Sequence, residues 1–121
     1  MAKYPAAIGP YSAYRVAGDL VFCSGQLPVD PDSGNFPSDD IKEQTRQSLK
    51  NVGAILEEAG LSYANVVKTT VFLADIKDFA PMNEVYAEFF SAPCPARSAI
   101  AVRDIPKGAK VEIEVIACKK A

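Results

Sequence analysis

Arg97 follows Cys94-Pro95-Ala96 and opens an apolar run. Its guanidinium offers paired donors in one plane, the match for a carboxylate. An arginine at a strand mouth is more commonly a surface residue, so position alone leaves both readings open. Glu112 and Glu114 stand two apart in the run Lys110–Cys118. That spacing puts both carboxylates on one strand face, opposite Val111, Ile113 and Val115. Such a pair either meets cations of a neighbouring molecule or works on a ligand, and spacing alone favours pairing. Ile8-Gly9-Pro10-Tyr11-Ser12 reads as a tight turn presenting two hydroxyls. Ser24-Gly25 ends an apolar run, and a glycine there permits close backbone approach to a ligand or simply marks a strand end. Asn83 is a polar position beside Met82, compatible with an ordinary surface residue.

Composition removes many chemistries. The 121 residues contain no histidine, which excludes a Ser-His-Asp triad, a Cys-His pair and histidine metal ligation. Cys23, Cys94 and Cys118 form no CxxC pair and no zinc pattern. Cys23 and Cys118 fall inside strand-like runs and read as buried thiols, whereas Cys94 lies between two prolines in a loop. No GxGxxG or GxxxxGK[ST] phosphate loop is present. Thirteen basic against fifteen acidic residues give a net charge of −2, which argues against a dedicated nucleic-acid binder. No stretch of 18 apolar residues exists, and the start lacks the apolar core of a secretory signal. The expectation is a cytoplasmic protein with no membrane association, an organelle being left open.

The elements that must position these residues follow from periodicity. Ser12–Ala17 and Leu20–Gly25 flank Gly18 as a β-hairpin. Asp40, with Glu43 three residues on, has capping-box spacing. Ile41, Thr45, Leu49, Val52, Ile55, Leu56 and Ala59 form one helical stripe closed by Gly60, which predicts a helix over Ile41–Ala59. Val66–Leu73 is β-branched and aromatic, hence a strand. Asp78 is expected to cap a second helix, Phe79–Phe90, with Pro81 in its first turn. Ala96–Val102 and Lys110–Cys118 are the last strands, joined through Asp104–Gly108. The length suits a single domain spanning 1–121, of class α+β and order β-β-α-β-α-β-β. Two helices cover one sheet face. Apolar residues of both parities, with Val66, Phe72, Ile116 and Cys118 opposite Val67, Val71, Val115 and Ala117, leave the second face needing a cover, which predicts packing against further copies of the chain.

Taken in order, Gly9-Pro10-Tyr11-Ser12, Ser24-Gly25-Gln26-Leu27-Pro28, Gln44-Thr45-Arg46-Gln47-Ser48-Leu49, Val67-Lys68-Thr69-Thr70-Val71-Phe72-Leu73, Asn83-Glu84-Val85-Tyr86, Pro95-Ala96-Arg97-Ser98 and Pro106-Lys107-Gly108 with Val111-Glu112-Ile113-Glu114 resemble the RidA (YjgF) family. The similarity runs from about Ala7 to Ala117, and Pro-Ala-Arg-Ser with the glutamate-bearing last strand is its most specific part. The resemblance implies a chorismate-mutase-like fold, a homotrimer with clefts between subunits, and hydrolysis of 2-imino acids such as 2-iminopropanoate and 2-iminobutanoate to 2-oxo acids and ammonia, with no metal and no organic cofactor. It also assigns roles. Arg97 matches the arginine that binds the substrate carboxylate, and Glu112 the glutamate associated with the attacking water. Tyr11, Ser24, Gly25 and Asn83 match cleft-lining positions, and Ala99 the position whose backbone faces the substrate nitrogen. Ala13 and Cys94 depart from the familiar pattern near the expected cleft. Rival readings of the same fold are a regulatory protein that binds 2-oxo acids without turnover, a ribonuclease or translation inhibitor, and a holdase chaperone.

Overall fold

The computed structural model describes residues 3–121. The chain runs β1 (Tyr14–Ala17), β2 (Leu20–Gln26), α1 (Ile41–Glu58), β3 (Val66–Leu73), α2 (Phe79–Tyr86), β4 (Ala96–Ala101) and β5 (Val111–Cys118). The strands form one mixed sheet in the order β1-β2-β5-β3-β4. β5 pairs antiparallel with both β2 and β3, so it lies between the two strands that α1 connects. α2 connects the parallel pair β3 and β4. This is the α+β arrangement expected from the order of elements, with both helices on one face.

Local chemistry accounts for the boundaries. Gly18 adopts φ 62 and, with Asp19, makes the two-residue loop closed by the pair Ala17–Leu20. Asp40 accepts a hydrogen bond from the Glu43 amide at 3.1 Å and caps α1. At the other end Gly60, at φ 79, lets Leu61 N donate to Leu56 O and Gly60 N to Glu57 O, the paired bonds of a Schellman close.

α2 is shorter than the apolar stripe predicts. After Tyr86 the bonds Glu88 N to Val85 O and Phe89 N to Tyr86 O tighten the chain into i→i−3 turns. The tighter turns carry Phe89 and Phe90 onto Tyr63, with ring centroids at 5.4 Å and 5.7 Å in edge-on geometry. Aromatic packing thus outweighs continued helix. Asp78 occupies the residue before α2 but makes no side-chain cap bond. Asp75 instead accepts from Lys77 N and closes the short turn ahead of it.

The core lies between α1, α2 and the inward sheet face, around Leu49, Ile55, Leu56, Val71, Met82 and Ile113. One parity expectation is overturned. A register shift between Val66 and Lys68 inserts an extra residue opposite β5. Val66 therefore points into the core and Val67 is exposed, the reverse of simple alternation. Elsewhere the second face matches the expectation: Leu20, Phe22 and Ile100 stand on it at 37%, 41% and 48% exposure. Cys23 is buried, with burial pushing its thiol up to about 11. Cys118 is half-buried rather than enclosed, because its strand position faces the uncovered side, and Cys94 is exposed.

Candidate active site

Register decides where each candidate side chain points. Arg97 pairs with Thr69, which is fully buried, so Arg97 lies on the helix-covered face at the mouth of edge strand β4. α2 runs past that mouth. Arg97 Nη1 donates to Asn83 Oδ1 at 2.5 Å. The guanidinium carbon sits 4.7 Å from the Tyr86 ring centroid and 5.5 Å from that of Phe79. The cation is thus supported by two aromatic faces and one amide. It lines a cleft of about 460 Å³ with Asn83, Tyr86, Cys94 and Pro95. Ala99 follows one pleat along β4 on the same face, packed against the core.

A second group forms on the other side of the sheet. Glu112 and Glu114 alternate with the buried Val111, Ile113 and Val115 and face outward. Burial, and to a smaller degree the neighbouring Glu114 carboxylate, hold the Glu112 carboxyl above its ordinary value of 4.5. β2 carries a bulge beside it: Cys23 pairs with Val115 and Gln26 with Ile113, leaving Ser24 and Gly25 in the irregular step. The bulge brings Gly25 against Glu112 so closely that a Cβ on Gly25 would lie 2.5 Å from Glu112 Oε2. Only glycine leaves that carboxylate its position. Ser24 Oγ donates to Ser12 O at 2.6 Å and Ser24 N to Ala13 O at 2.9 Å, which ties the Tyr11 turn to β2. Tyr11 and Ser24 line a second cleft of about 410 Å³.

The structure therefore brings Arg97, Asn83 and Ala99 together, and separately Tyr11, Ser24, Gly25 and Glu112. It does not join the two groups within one chain. Arg97 and Glu112 are on opposite faces, with β3 between their strands. Two strand spacings alone amount to about 10 Å before the opposed side-chain directions are added. Sequence reasoning missed Tyr86, Phe79 and Thr69 as support for Arg97, because Tyr86 lies on an apolar helical stripe that reads as core. It also missed Lys107, whose backbone is left-handed at φ 62 and which lines a small crevice with Tyr11 and Gly25.

A profile of the family described as Endoribonuclease L-PSP matches residues 1–119. The chain is 52% identical over 115 residues to Reactive Intermediate Deaminase A, chloroplastic, of Arabidopsis thaliana, covering 95% of this chain and 62% of that protein. The chain belongs to the RidA family. Within the family it is 48% identical over 116 residues to human 2-iminobutanoate/2-iminopropanoate deaminase, covering 96% of this chain and 85% of that one. It superimposes on Escherichia coli TdcF with bound serine at a TM-score of 0.93 and 47% identity, covering 98% and 94% of the two chains. RidA-type deamination is the activity these relatives support. No helix among the described residues is long and apolar enough to cross a membrane, and no cluster of metal-ligating side chains occurs among them.

Proposed function

We propose that the chain hydrolyses small 2-imino acids, such as 2-iminopropanoate and 2-iminobutanoate, to 2-oxo acids and ammonia. The observation that carries this reading is the Arg97 guanidinium, held by Asn83 and two aromatic rings at the mouth of an open cleft. A cation fixed in this way is a receptor for a carboxylate, and the relatives named as iminobutanoate/iminopropanoate deaminases supply the rest of the substrate.

Because Arg97 and Glu112 face apart, the reading requires a neighbouring copy to supply the second group. The apolar outer face with Leu20, Phe22 and Ile100 is a suitable contact surface. Assembly as a homotrimer, with one cleft per interface, satisfies both demands. Sizing by light scattering should return three times the chain mass, and a monomer at micromolar concentration would remove the composite site.

In the reaction Arg97 clamps the carboxylate and sets C2 beside a water. The water oxygen bonds to C2, the C=N π pair moves to nitrogen, and Glu112 accepts the released proton. Glu112 then returns that proton to nitrogen. The hydroxyl's own proton then passes, again by way of Glu112, to the same nitrogen as the C=O bond forms and the C–N bond breaks, so the nitrogen leaves as neutral ammonia. The backbone at Ala99 and Gly25 steadies the nitrogen, while Tyr11, Ser24 and Asn83 shape the cleft. Imine hydrolysis proceeds unaided in water, so general acid–base help of about 10²–10⁴-fold plus positioning is sufficient. Neither a histidine nor a metal is needed for these steps.

The serine in the related TdcF favours a second reading, retention of a small carboxylate without turnover. One experiment separates the two. An imine generated in situ by an amino-acid oxidase or a PLP-dependent dehydratase is followed with and without the protein. Accelerated loss of the imine supports the deaminase, and an unchanged decay with saturable 2-oxo acid binding supports the receptor.

A further inference from the structure

Thr69, Tyr86 and Arg97 make a closed arrangement that the steps above do not use. Thr69 and Arg97 are register partners on the parallel pair β3–β4. Thr69 Oγ1 and the Tyr86 hydroxyl share a buried hydrogen bond of 2.8 Å. The Tyr86 ring then lies beneath the guanidinium, 4.7 Å from its carbon. Strand β3 thus supports Arg97 twice, once through the backbone ladder and once through Tyr86.

The polar pair is unusual for its place. Thr69 is wholly enclosed and Tyr86 nearly so. Valine and phenylalanine would fill the same volumes without polar groups to satisfy. What the hydroxyl pair adds is a fixed tilt for the Tyr86 ring. A ring pinned at its far end presents one face to the cation and cannot turn with it. Asn83 fixes one edge of the same guanidinium from α2. The guanidinium also lines the cleft, with much of the rotamer freedom of arginine already removed before a ligand arrives.

We infer that Tyr86, pinned through its hydroxyl to Thr69, is a positioning residue that holds the Arg97 guanidinium flat for the carboxylate of a 2-imino or 2-oxo acid. The inference rests on the deaminase reading above.

The test measures turnover of 2-iminobutanoate made in situ, and inhibition by 2-oxobutanoate and by its neutral amide. Tyr86→Phe, Thr69→Val, the double variant, Thr69→Ser and Arg97→Ala are compared in the assembled protein. Tyr86→Phe and Thr69→Val should each raise KM and the inhibition constant of 2-oxobutanoate about 2- to 10-fold, the scale of one hydrogen bond. The change in kcat should be smaller, and inhibition by the amide should not move. Thr69→Ser, which keeps the hydroxyl, should restore wild-type KM. The double variant leaves an apolar, satisfied pair in the core and should lose no more than the worse single change. Wild-type KM in Tyr86→Phe and in the double variant, with Arg97→Ala inactive, overturns the positioning role alone. Equal weakening of acid and amide overturns it as well, since general damage to the cleft would do that. Full turnover in Arg97→Ala removes the clamp, and the inference with it.

Discussion

Replacing Arg97 by lysine keeps the charge and removes the planar fork, so it isolates what geometry contributes. In the native chain Nη1 is committed to Asn83 Oδ1 at 2.5 Å, and the guanidinium carbon lies over the Tyr86 ring, 4.7 Å from its centroid. The free N–H groups can then meet both oxygens of a carboxylate. A lysine ammonium is a point donor on a flexible stem. It can satisfy Asn83 or one carboxylate oxygen with good geometry, and it has no flat face to rest on the ring. The loss is at least one charge-assisted hydrogen bond, worth about 1.5–3 kcal/mol, or roughly 10- to 100-fold in kcat/KM. The assay is initial-rate decay of 2-iminobutanoate generated by an amino-acid oxidase, with light scattering run on the same samples to verify assembly. Lysine should lose most of its effect through KM, because the clamp holds the carboxylate in the ground state and in the transition state alike. A correctly assembled Arg97→Lys variant with kcat/KM within about 2-fold of wild type would refute the bidentate clamp, since no donor fork would then be needed.

The remaining predictions concern Glu112 and two glycines. Glu112→Gln should lower turnover by about 10²- to 10⁴-fold, and the wild-type rate should fall as acid protonates the base through its raised pKa. The same shift has a stability consequence with a definite sign. Because the folded carboxyl lies above 4.5, the native state holds the proton more tightly, so this contribution to stability is complete below that pH and is lost as pH rises through the folded value. Denaturant titrations should therefore find Glu112→Gln more stable than wild type at neutral pH, with the gap closing below pH 4.5. Gly25→Ala places a methyl 2.5 Å from Glu112 Oε2 and must displace the carboxylate; activity should drop while the thermal midpoint moves little, because a flexible side-chain end is what yields. In Gly53→Ala the new methyl would collide with the Tyr63 hydroxyl, which donates to Leu49 O at 2.6 Å, so the urea midpoint should fall by an amount equal to about 1–3 kcal/mol.

Much of the fold was legible because its signals are local. Asp40 and Gly60 bracket α1 through side-chain and backbone geometry that neighbouring residues alone determine. Gly18 does the same for the hairpin, and β-branched content marks β3. The end of α2 was not legible. It depends on Phe89 and Phe90 finding Tyr63, a residue far away in the chain. Val66 was misplaced for a related reason: alternation assumes an unbroken ladder, and the bulge opposite β5 exists only once β3 and β5 are paired.

The site divides along the same line. Arg97 after Pro-Ala and Glu112 in the last strand are linear features, so type and order could nominate them as candidates, while their proposed roles came from the family resemblance. Their outward or inward direction follows from strand parity, which sequence also contains for β5. What tertiary structure alone decided is the company each one keeps. Strand order β1-β2-β5-β3-β4 sets Gly25 against Glu112, while α2 lays Asn83 and Tyr86 beside Arg97. The same order puts β3 between the two carriers of charge, while strand parity turns them to opposite faces. Periodicity specifies a direction for each side chain, but distance between elements is set by which strands pair, and that is a property of the assembled sheet rather than of any one segment.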